Sequence, residues 1–453
     1  MKRIYWTFLM MGIIFTSCNK FLEKKPNQKL VVPTTLRDLQ ALIEDPATIN
    51  YSLSISGEVS AGDYYLPDNA LNEMDEAVRN MYLWQKDNLF AVTNEEWALL
   101  YKVIYRCNIV LEQIDNIKPQ VGEYEQWNAI KGNALFLRAC CYTQIAWLWS
   151  VAYDKETAGN DLGVALRLTA NFNEISQRTD VETSYRQIIE DLEASLKYLP
   201  VVSSHPITPS RPAAFGQLSR LYLSMRNYGM ALAYADSCLQ LRSELLDYND
   251  DPNITPSSSY PFTRFNPEII YMIGARRPAA FGKGIADTTL YDSYDANDLR
   301  KTIFFSGRKN VLNSFKGNYE GKNITGVLFY GPATDEMYLT MAECLIRKGD
   351  TEQGLNKLNT LLKKRYKSGT FTEYKLLSQS DALNLVLEER RKELIFRGLR
   401  WMDIKRLNKE GMNIKIARKV GDQLFTLEPN SLRYALPIPE YVVQLSGMQQ
   451  NPR

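Results

Sequence analysis

Histidine is almost missing from this chain of 453 residues: His205 is the only one, and Pro206 follows it in a Ser/Pro-rich stretch. Histidine-based metal sites are thereby nearly excluded, and a histidine-dependent catalytic triad is disfavoured. Cysteine is scarce too. Beyond Cys18 the chain has Cys107, Cys140, Cys141, Cys238 and Cys344, an odd number without close metal spacing. That is no disulfide framework. Each lies in apolar, helix-like sequence and reads as a buried free thiol. No Asp-x-Asp-x-Asp-Gly loop is present, so neither a required metal nor a cofactor is expected. Neither sign of charge dominates, with 54 Lys and Arg against 52 Asp and Glu. Without a basic block, nucleic acid is not an expected partner. Past residue 15 there is no apolar run long enough to span a membrane.

What the chain does have is core material. It is 45% hydrophobic, enough for one large domain or two intimate ones. Its 27 Tyr, 7 Trp and 17 Phe are mostly for packing, but tyrosines in loops suit a carbohydrate or peptide surface.

The N-terminus reads as a leader. Lys2 and Arg3 precede an apolar run over residues 4–15, and Thr16-Ser17-Cys18 follow. The run is too short for a spanning helix and marks residues 1–17 as a signal peptide. Phe15 at position −3 is poor for ordinary signal peptidase, whereas Phe15-Thr16-Ser17-Cys18 suits lipoprotein processing. Cys18 is therefore the expected lipidation site, with 18–33 as a polar tether. Several acyl chains anchor stably where one is marginal.

Helical spacing dominates the remainder. A short amphipathic helix is expected over 34–45, then a loop-rich stretch over 46–92. Long helices follow at 94–117, with Asn94 as N-cap, and at 122–150, with Pro119 and Gly122 at the turn between them. Residues 180–198, capped by Thr179 or Asp180, should pair with 122–150. Residues 213–242 and 336–365 each read as helix, short turn, helix, with small residues at similar offsets. They are similar to tetratricopeptide hairpins, which stack because one hairpin cannot bury its own face. Residues 244–333 break the rhythm with Asp, Asn, Pro, Gly, Ser and Tyr. Only Glu268–Ile273 and Gly326–Tyr330 look strand-like there. An irregular insertion of that length is usually functional.

The most telling stretch is 388–406, Glu-Glu-Arg-Arg-Lys-Glu-Leu-Ile-Phe-Arg-Gly-Leu-Arg-Trp-Met-Asp-Ile-Lys-Arg. Leu387, Leu394 and Met402 lie near one helical face, and Arg390 and Arg391 interrupt it. Charges on such a stripe must be paired. Glu389, Glu393 and Arg397 climb in steps of four, so Glu393 and Arg397 should pair. Glu336 and Glu343, seven apart on one helix face, are the expected partners of Arg390 or Arg391.

This stretch closely resembles the signature segment of the SusD/RagB family, surface lipoproteins of Bacteroidetes that capture nutrients. The resemblance extends to Trp97-x3-Tyr101-x2-Ile104-x2-Cys107-Asn108, to Leu137-Arg138-Ala139, to Arg211-Pro212-Ala213-Ala214, to Asp298-Leu299-Arg300 and to Leu436-Pro437-Ile438-Pro439. Two departures stand out. Ala333 replaces an arginine common three residues before Glu336, and Arg397 replaces a glutamate common before Gly398. The resemblance implies a mainly α fold, with tetratricopeptide-type hairpins over about 94–243 and 334–408 and the irregular insertion at about 244–333. These would form a single domain over 34–453. It also implies a non-enzymatic binding protein on the outer membrane, delivering glycan or peptide to a SusC-like, TonB-dependent barrel. The sequence favours neither ligand, and no motif among the acidic residues selects a glycosidase pair. Glu23 is the one acid just after Cys18, which leaves the outer and periplasmic faces both open.

Sugar rings stack on flat aromatics while their hydroxyls bond to polar groups. Two loop-like clusters offer both. One holds Asp63, Tyr64, Tyr65, Asp68 and Asn69 with Trp84 nearby, and the other holds Tyr291 and Tyr294. These eight are the candidate ligand residues.

Overall fold

The computed structural model describes residues 33–91, 95–308, 311–322 and 326–453. The leader, Cys18, nearly all of the tether and Asn94 lie outside the described residues.

The scaffold is a row of antiparallel helices. Helix α1, Leu36–Ile43, opens with a capping box: the Thr35 hydroxyl accepts from the Asp38 N–H, and the Asp38 carboxylate accepts from the Thr35 N–H, both at 3.2 Å. The long helices that follow are α2 (Glu96–Ile114), α3 (Tyr124–Trp149), α4 (Val181–Tyr198), α5 (Arg211–Ser224) and α6 (Tyr228–Leu241). Later come α7 (Thr334–Lys348), α8 (Thr351–Leu362), α9 (Gln379–Glu393), α10 (Arg400–Asn408) and α11 (Glu440–Ser446). Helix α3 packs on both α2 and α4, α5 on α6, α7 on α8, and α6 on α7. The hairpins expected from spacing are therefore present. Glu95 caps α2, accepting from the Trp97 and Ala98 N–H groups at 2.7 Å. Asp180 caps α4, accepting from the Thr183 N–H at 2.6 Å. Gly349, at φ 99°, ends α7 in the left-handed conformation that glycine tolerates.

Polar ties fix the hairpins. Arg138 on α3 donates to both Asp191 oxygens on α4 (2.8 and 2.7 Å) and to Asn108 Oδ1 on α2 (3.0 Å). The Asn108 amide in turn donates to the carbonyls of Arg167 and Thr169. Two of the motif residues thus lock three helices and a loop together. The buried apolar side chains form one contiguous cluster running from Leu36 to Met448.

The signature segment is not a continuous helix. Helix α9 stops at Glu393 and α10 starts at Arg400, with Phe396 (φ 57°) and Gly398 (φ 74°) turning the chain between them. A Cβ on Gly398 would lie 2.5 Å from the Tyr330 ring, so glycine is required there on two counts. Because the helix breaks, Arg397 is no longer one turn above Glu393, and the expected pair does not form. Arg397 instead reaches Asp335 at 3.1 Å and lies over the Tyr319 and Phe329 rings.

The pairing expected between these arginines and Glu336 or Glu343 is likewise not what forms. All four residues are in ion pairs, but with other partners. Glu336 is held by Arg220 of α5, which also donates to the Tyr330 and Gly331 carbonyls at 2.7 Å. Arg220 supplies from a neighbouring helix the charge that Ala333 lacks. Glu343 takes Arg406 (2.6 Å) and Arg347 (2.9 Å). Arg390 pairs with Asp403 at 2.9 Å, and Asp403 bridges on to Arg406. Arg391 points the other way, to Asp63 and Asp287. Arginines at adjacent helix positions lie about 100° apart around the axis, so one faces the hairpins and the other the N-terminal segment.

Glu389 and Glu393 of α9 meet a second buried cluster. Arg300 is fully buried and touches Asp298 (2.7 Å), Glu389 (2.5 Å) and Glu393 (3.0 Å). Arg365 joins Glu393 to Glu268, at 2.7 Å each.

The irregular insertion is built from short antiparallel pairs. Among the described residues, eight strands lie outside the helical rows: β1 (Tyr64–Tyr65), β2 (Gly274–Arg276), β3 (Ile285–Ala286), β4 (Phe305–Arg308), β5 (Val311–Phe315), β6 (Val327–Phe329), β7 (Ile416–Val420) and β8 (Gln423–Leu427). They pair as β1–β3, β2–β6, β4–β5 and β7–β8. The strand expected at Gly326–Tyr330 is β6. The one expected at Glu268–Ile273 begins only at Gly274, because Glu268 is used as an ion-pair partner and Ile269 makes a lone bridge to Ala333.

Replacing Arg300 by Met would leave three buried carboxylates without their shared cation. The expected loss is about 3–5 kcal/mol, as for other broken buried pairs. Urea unfolding of Arg300→Met measures it, and an unchanged midpoint would contradict the role given to this residue.

Candidate functional site

The two candidate clusters, more than 200 positions apart in sequence, meet in space. Strand β1 pairs with β3, Tyr64 opposite Ala286 and Tyr65 opposite Ile285. The Asp287 N–H donates to the Asp63 carbonyl at 2.8 Å. Tyr291 follows on the short helix Thr288–Asp292, which Asp287 caps. The Asp63 carboxylate lies 2.9 Å from Arg391 and 3.4 Å from Arg400, and Arg391 also reaches Asp287 at 3.4 Å. One side chain of the signature helix therefore clamps both clusters. Asp63 is buried in that clamp and presents no face to a ligand.

Most of the expected aromatic platform is turned inward. Arg418 of β7 is buried without a carboxylate partner among the described residues. Its guanidinium donates to the carbonyls of Tyr82, Val59 and Ala61. It lies 3.7 Å from the Tyr82 ring centre, 4.5 Å from Trp84 and 5.7 Å from Tyr64. Tyr64 and Trp84 thus serve as a cage for a cation. The Trp84 indole N–H donates to the Ser60 carbonyl at 3.0 Å. Tyr294 is also core: its hydroxyl donates to the Lys392 carbonyl at 2.8 Å, and its ring lies under Arg300. For Asp63, Tyr64, Trp84 and Tyr294 the ligand-contact expectation is corrected, because other parts of the chain already occupy the surfaces a ligand would need.

Tyr65 is different. It alternates with Tyr64 along β1, so its ring faces outward and is 39% exposed. Asp68 and Asn69 are exposed beside it, and Asp68 accepts from the Gly421 N–H at 3.2 Å. Tyr291 is half-buried, edge-on to Phe305, with the Lys301 amine 4.8 Å from its ring centre.

Glu58 lies beneath this platform. Burial pushes its carboxyl up to about 8, with the nearby Asp63 charge adding to the effect. The Gly398 N–H and Arg400 oppose the rise. One oxygen accepts from Gly398 N–H at 2.8 Å, and the other has no hydrogen-bond partner among the described residues.

Of the concavities among the described residues, two have linings that bear on binding. A groove of about 650 Å³ is lined by Trp97, Tyr101, Asn108, Arg167, Tyr441 and Leu445 among others. Several of its polar groups are engaged: Tyr101 donates to the Ala165 carbonyl, Tyr441 to Glu95, and Arg167 to the carbonyls of Asn171 and Glu174. Phe172, Ile175 and Leu445 are exposed at its rim. The second concavity is a cleft of about 70 Å³ in the irregular insertion, bounded by Tyr260, Arg277, Gly282, Phe315, Lys316 and Asn318. The turn Ala279–Lys283 lies between the cleft and the buried Tyr64: Gly282 borders the cleft, and Phe281 packs on the Tyr64 ring at 4.6 Å. The sequence reading missed this cleft. A signal was available in the basic excess of residues 305–326, which hold Arg308, Lys309, Lys316 and Lys322 against the single acid Glu320.

Nucleophilic chemistry has little to work with. The five cysteines among the described residues are buried and unpaired, and burial raises their thiols, those of Cys107 and Cys238 to about 12. His205 rests edge-on against Phe265, and its Nδ1 accepts from the Ile207 N–H. Among the described residues, no three His, Cys, Asp or Glu side chains gather as metal ligands, and no helix is long and apolar enough to cross a membrane.

Residues 20–223 match a SusD-like family described as starch-binding and associating with the outer membrane, and residues 333–453 match the SusD family. The chain belongs to the SusD/RagB family. Similar solved structures include a putative sugar binding protein of Bacteroides vulgatus, with TM-score 0.75 and 22% identity over 93% of this chain and 99% of that one. A SusD superfamily protein of Bacteroides thetaiotaomicron has TM-score 0.73 and 22% identity over 92% and 100%. At these identities the likeness shows the SusD fold. SusD-like protein P25 of Formosa agariphila is 24% identical over 72% of this chain, which covers 64% of P25. SusD-like protein P2 of the same organism is 23% identical over the full length of both.

Two outcomes follow for this SusD-type platform. Trp84→Ala should cost about 3–5 kcal/mol, as for a buried tryptophan, whereas Tyr65→Ala should stay within about 1 kcal/mol of the parent. Equal midpoints for the two variants in denaturant would refute the distinction. The raised carboxyl of Glu58 makes folding take up a proton. That stability is complete below about 4.5, the unfolded value, and is lost as pH rises through about 8. Glu268, pushed up to about 7 by burial, acts in the same direction. Glu58→Gln should therefore show a shallower fall in stability between pH 5 and 8, and a slope as steep as the parent's would rule the assignment out.

Proposed function

We propose that this protein is an outer-membrane lipoprotein, anchored through Cys18, that binds an oligomeric nutrient and passes it to a SusC-like, TonB-dependent barrel. The match to a family described as starch-binding and associating with the outer membrane carries this reading. Glycan is favoured over peptide as the ligand, since one similar structure is described as a putative sugar binding protein and another as a SusD-like carbohydrate binding protein. The exposed Tyr65 ring, flanked by Asp68 and Asn69, is the contact surface in this proposal. An aromatic face for the C–H side of a sugar and polar groups for its hydroxyls are the minimum a shallow glycan site needs. Its role is capture, without catalysis.

A second reading has one observation in its favour. The groove rimmed by the exposed side chains of Phe172, Ile175 and Leu445 offers apolar surface. That suits a lid or scaffold subunit that meets nutrient only in complex with the barrel.

The test is retention of the soluble form, starting after Cys18, on immobilised polysaccharides and on a peptide mixture in parallel. Glycan retention that falls at least tenfold in Tyr65→Ala is the expected result. Retention of peptides alone would move the assignment to peptide uptake. Binding to neither, with the barrel co-purifying, would favour the lid.

A further inference from the structure

Among the described residues, every tryptophan but one has an acceptor for its indole N–H. Trp84, Trp127, Trp147, Trp149 and Trp401 each donate to a carbonyl or hydroxyl oxygen at 3.0–3.2 Å. The exception is Trp97. Its backbone N–H is held by Glu95, but no described residue accepts from its indole. The ring is only 5% exposed, packed against Tyr101 at 4.9 Å and Trp149 at 5.3 Å, and it lines the groove of about 650 Å³. A buried indole normally finds a partner for its N–H, because a donor left unmade is costly. Here the missing acceptor must come from outside the chain.

The rest of the groove narrows the occupant. The Tyr105 hydroxyl and the Asn173 side-chain amide also line it and have no hydrogen-bond partner among the described residues. Its charged side chains are occupied with each other: Arg167 and Glu174 lie 3.9 Å apart, and Glu174 accepts from the Thr169 hydroxyl at 2.6 Å. Nothing in the groove calls for a charged ligand. Phe172, 74% exposed, offers a flat face at the rim. The volume lies within the range of small-molecule sites. Tyr441 lines a second concavity of about 360 Å³ as well, so the groove is open at that end to an extended chain. An acyl chain would leave the Trp97 N–H unpaired in apolar surroundings. A neutral sugar brings oxygens for the indole N–H and the Tyr105 hydroxyl, and a C–H face for Phe172.

We infer that this groove is a second carbohydrate site, which takes a neutral oligosaccharide with one of its oxygens on the Trp97 indole N–H. The inference rests on the glycan reading proposed above, and adds to it a second site and a preference for uncharged sugar. The groove has no residue in common with the Tyr65 platform, so mutation separates the two.

The experiment titrates the mature chain with soluble starch, xylan, galactomannan and laminarin, all neutral, in a calorimeter. At least one should bind. Tyr65→Ala removes the platform and should leave a weaker residual site. In that background Phe172→Ala should weaken the residual binding about tenfold. Tyr105→Phe and Trp97→Phe, which each remove one donor and keep a ring, should each weaken it roughly threefold to tenfold. Residual binding should not fall when NaCl is raised from about 0.05 to about 0.5 M, as expected of an uncharged ligand. Circular dichroism melting would show the variants folded. A direct readout is the spectrum of protein labelled with ¹⁵N-tryptophan: the indole signal that disappears in Trp97→Phe should move when oligosaccharides cut from the bound polymer are added. Loss of all binding in Tyr65→Ala, residual binding indifferent to both Phe172→Ala and Tyr105→Phe, or an unmoved Trp97 signal would overturn the second site while leaving glycan capture standing. A steep fall with salt would overturn the neutral assignment. Binding of none of the polysaccharides would count against the glycan reading and overturn the groove site with it.

Discussion

Everything in this structure hangs on charges buried along helix α9 and the turn after it. Removing an ion from water is costly, and attraction between partners repays that only with good geometry. Here the geometry is dense. Arg300 serves three carboxylates, Arg365 two, and Asp403 joins Arg390 to Arg406, which continues to Glu343. Such a lattice adds little net stability over a well-packed apolar core, yet any single deletion strands a charge. Its main effect is to allow one register. Helices α7 and α9, the insertion residues Glu268 and Asp298, and α10 can dock only where every charge finds its partner.

The same economy explains the character of the platform. The N-terminal segment has no long element of its own to hold it. Arg391 ties Asp63 to Asp287, and Arg418 is enclosed by Tyr82, Trp84 and Tyr64. Aromatic surface used to solvate a guanidinium is no longer available to a sugar. What remains outward is the alternate residue on β1, Tyr65. A rigid, shallow platform with one ring suits capture, because little conformational entropy is lost when ligand arrives.

Much of the scaffold was legible in the sequence. Periods of three and four, the turns at Pro119 and Gly122, and the twin hairpins all reappear, because helix hairpins are specified by local pattern. The signature segment identified the family correctly, but its partners were misread. Pairing by steps of four assumes an unbroken helix, and Gly398 breaks it. The site was legible only in part. Two loop clusters were named and do meet across β1–β3, yet loop-like sequence does not reveal which aromatic faces inward. Tyr64 and Tyr65 are adjacent and chemically identical, and only strand alternation against a core separates them. The cleft was missed since its walls come from residues 259–328, joined by long-range pairing that no local period records.

The placement of that cleft bears on how such a protein could acquire a specific ligand. The family matches cover 20–223 and 333–453. Tyr65 lies inside the first of them, while every residue that lines the cleft lies between the two. The charge lattice, by contrast, spans both: Glu268 and Arg300 are insertion residues, and Arg365 and Glu393 are scaffold. The insertion is therefore bolted to the helices at its inner face by ion pairs, which leaves its outer face free to vary without loosening the fold. Loops carried on a rigid scaffold are where recognition ordinarily resides. On this chain the outward Tyr65 is fixed by the pairing of β1 with β3, one strand from the N-terminal segment and one from the insertion.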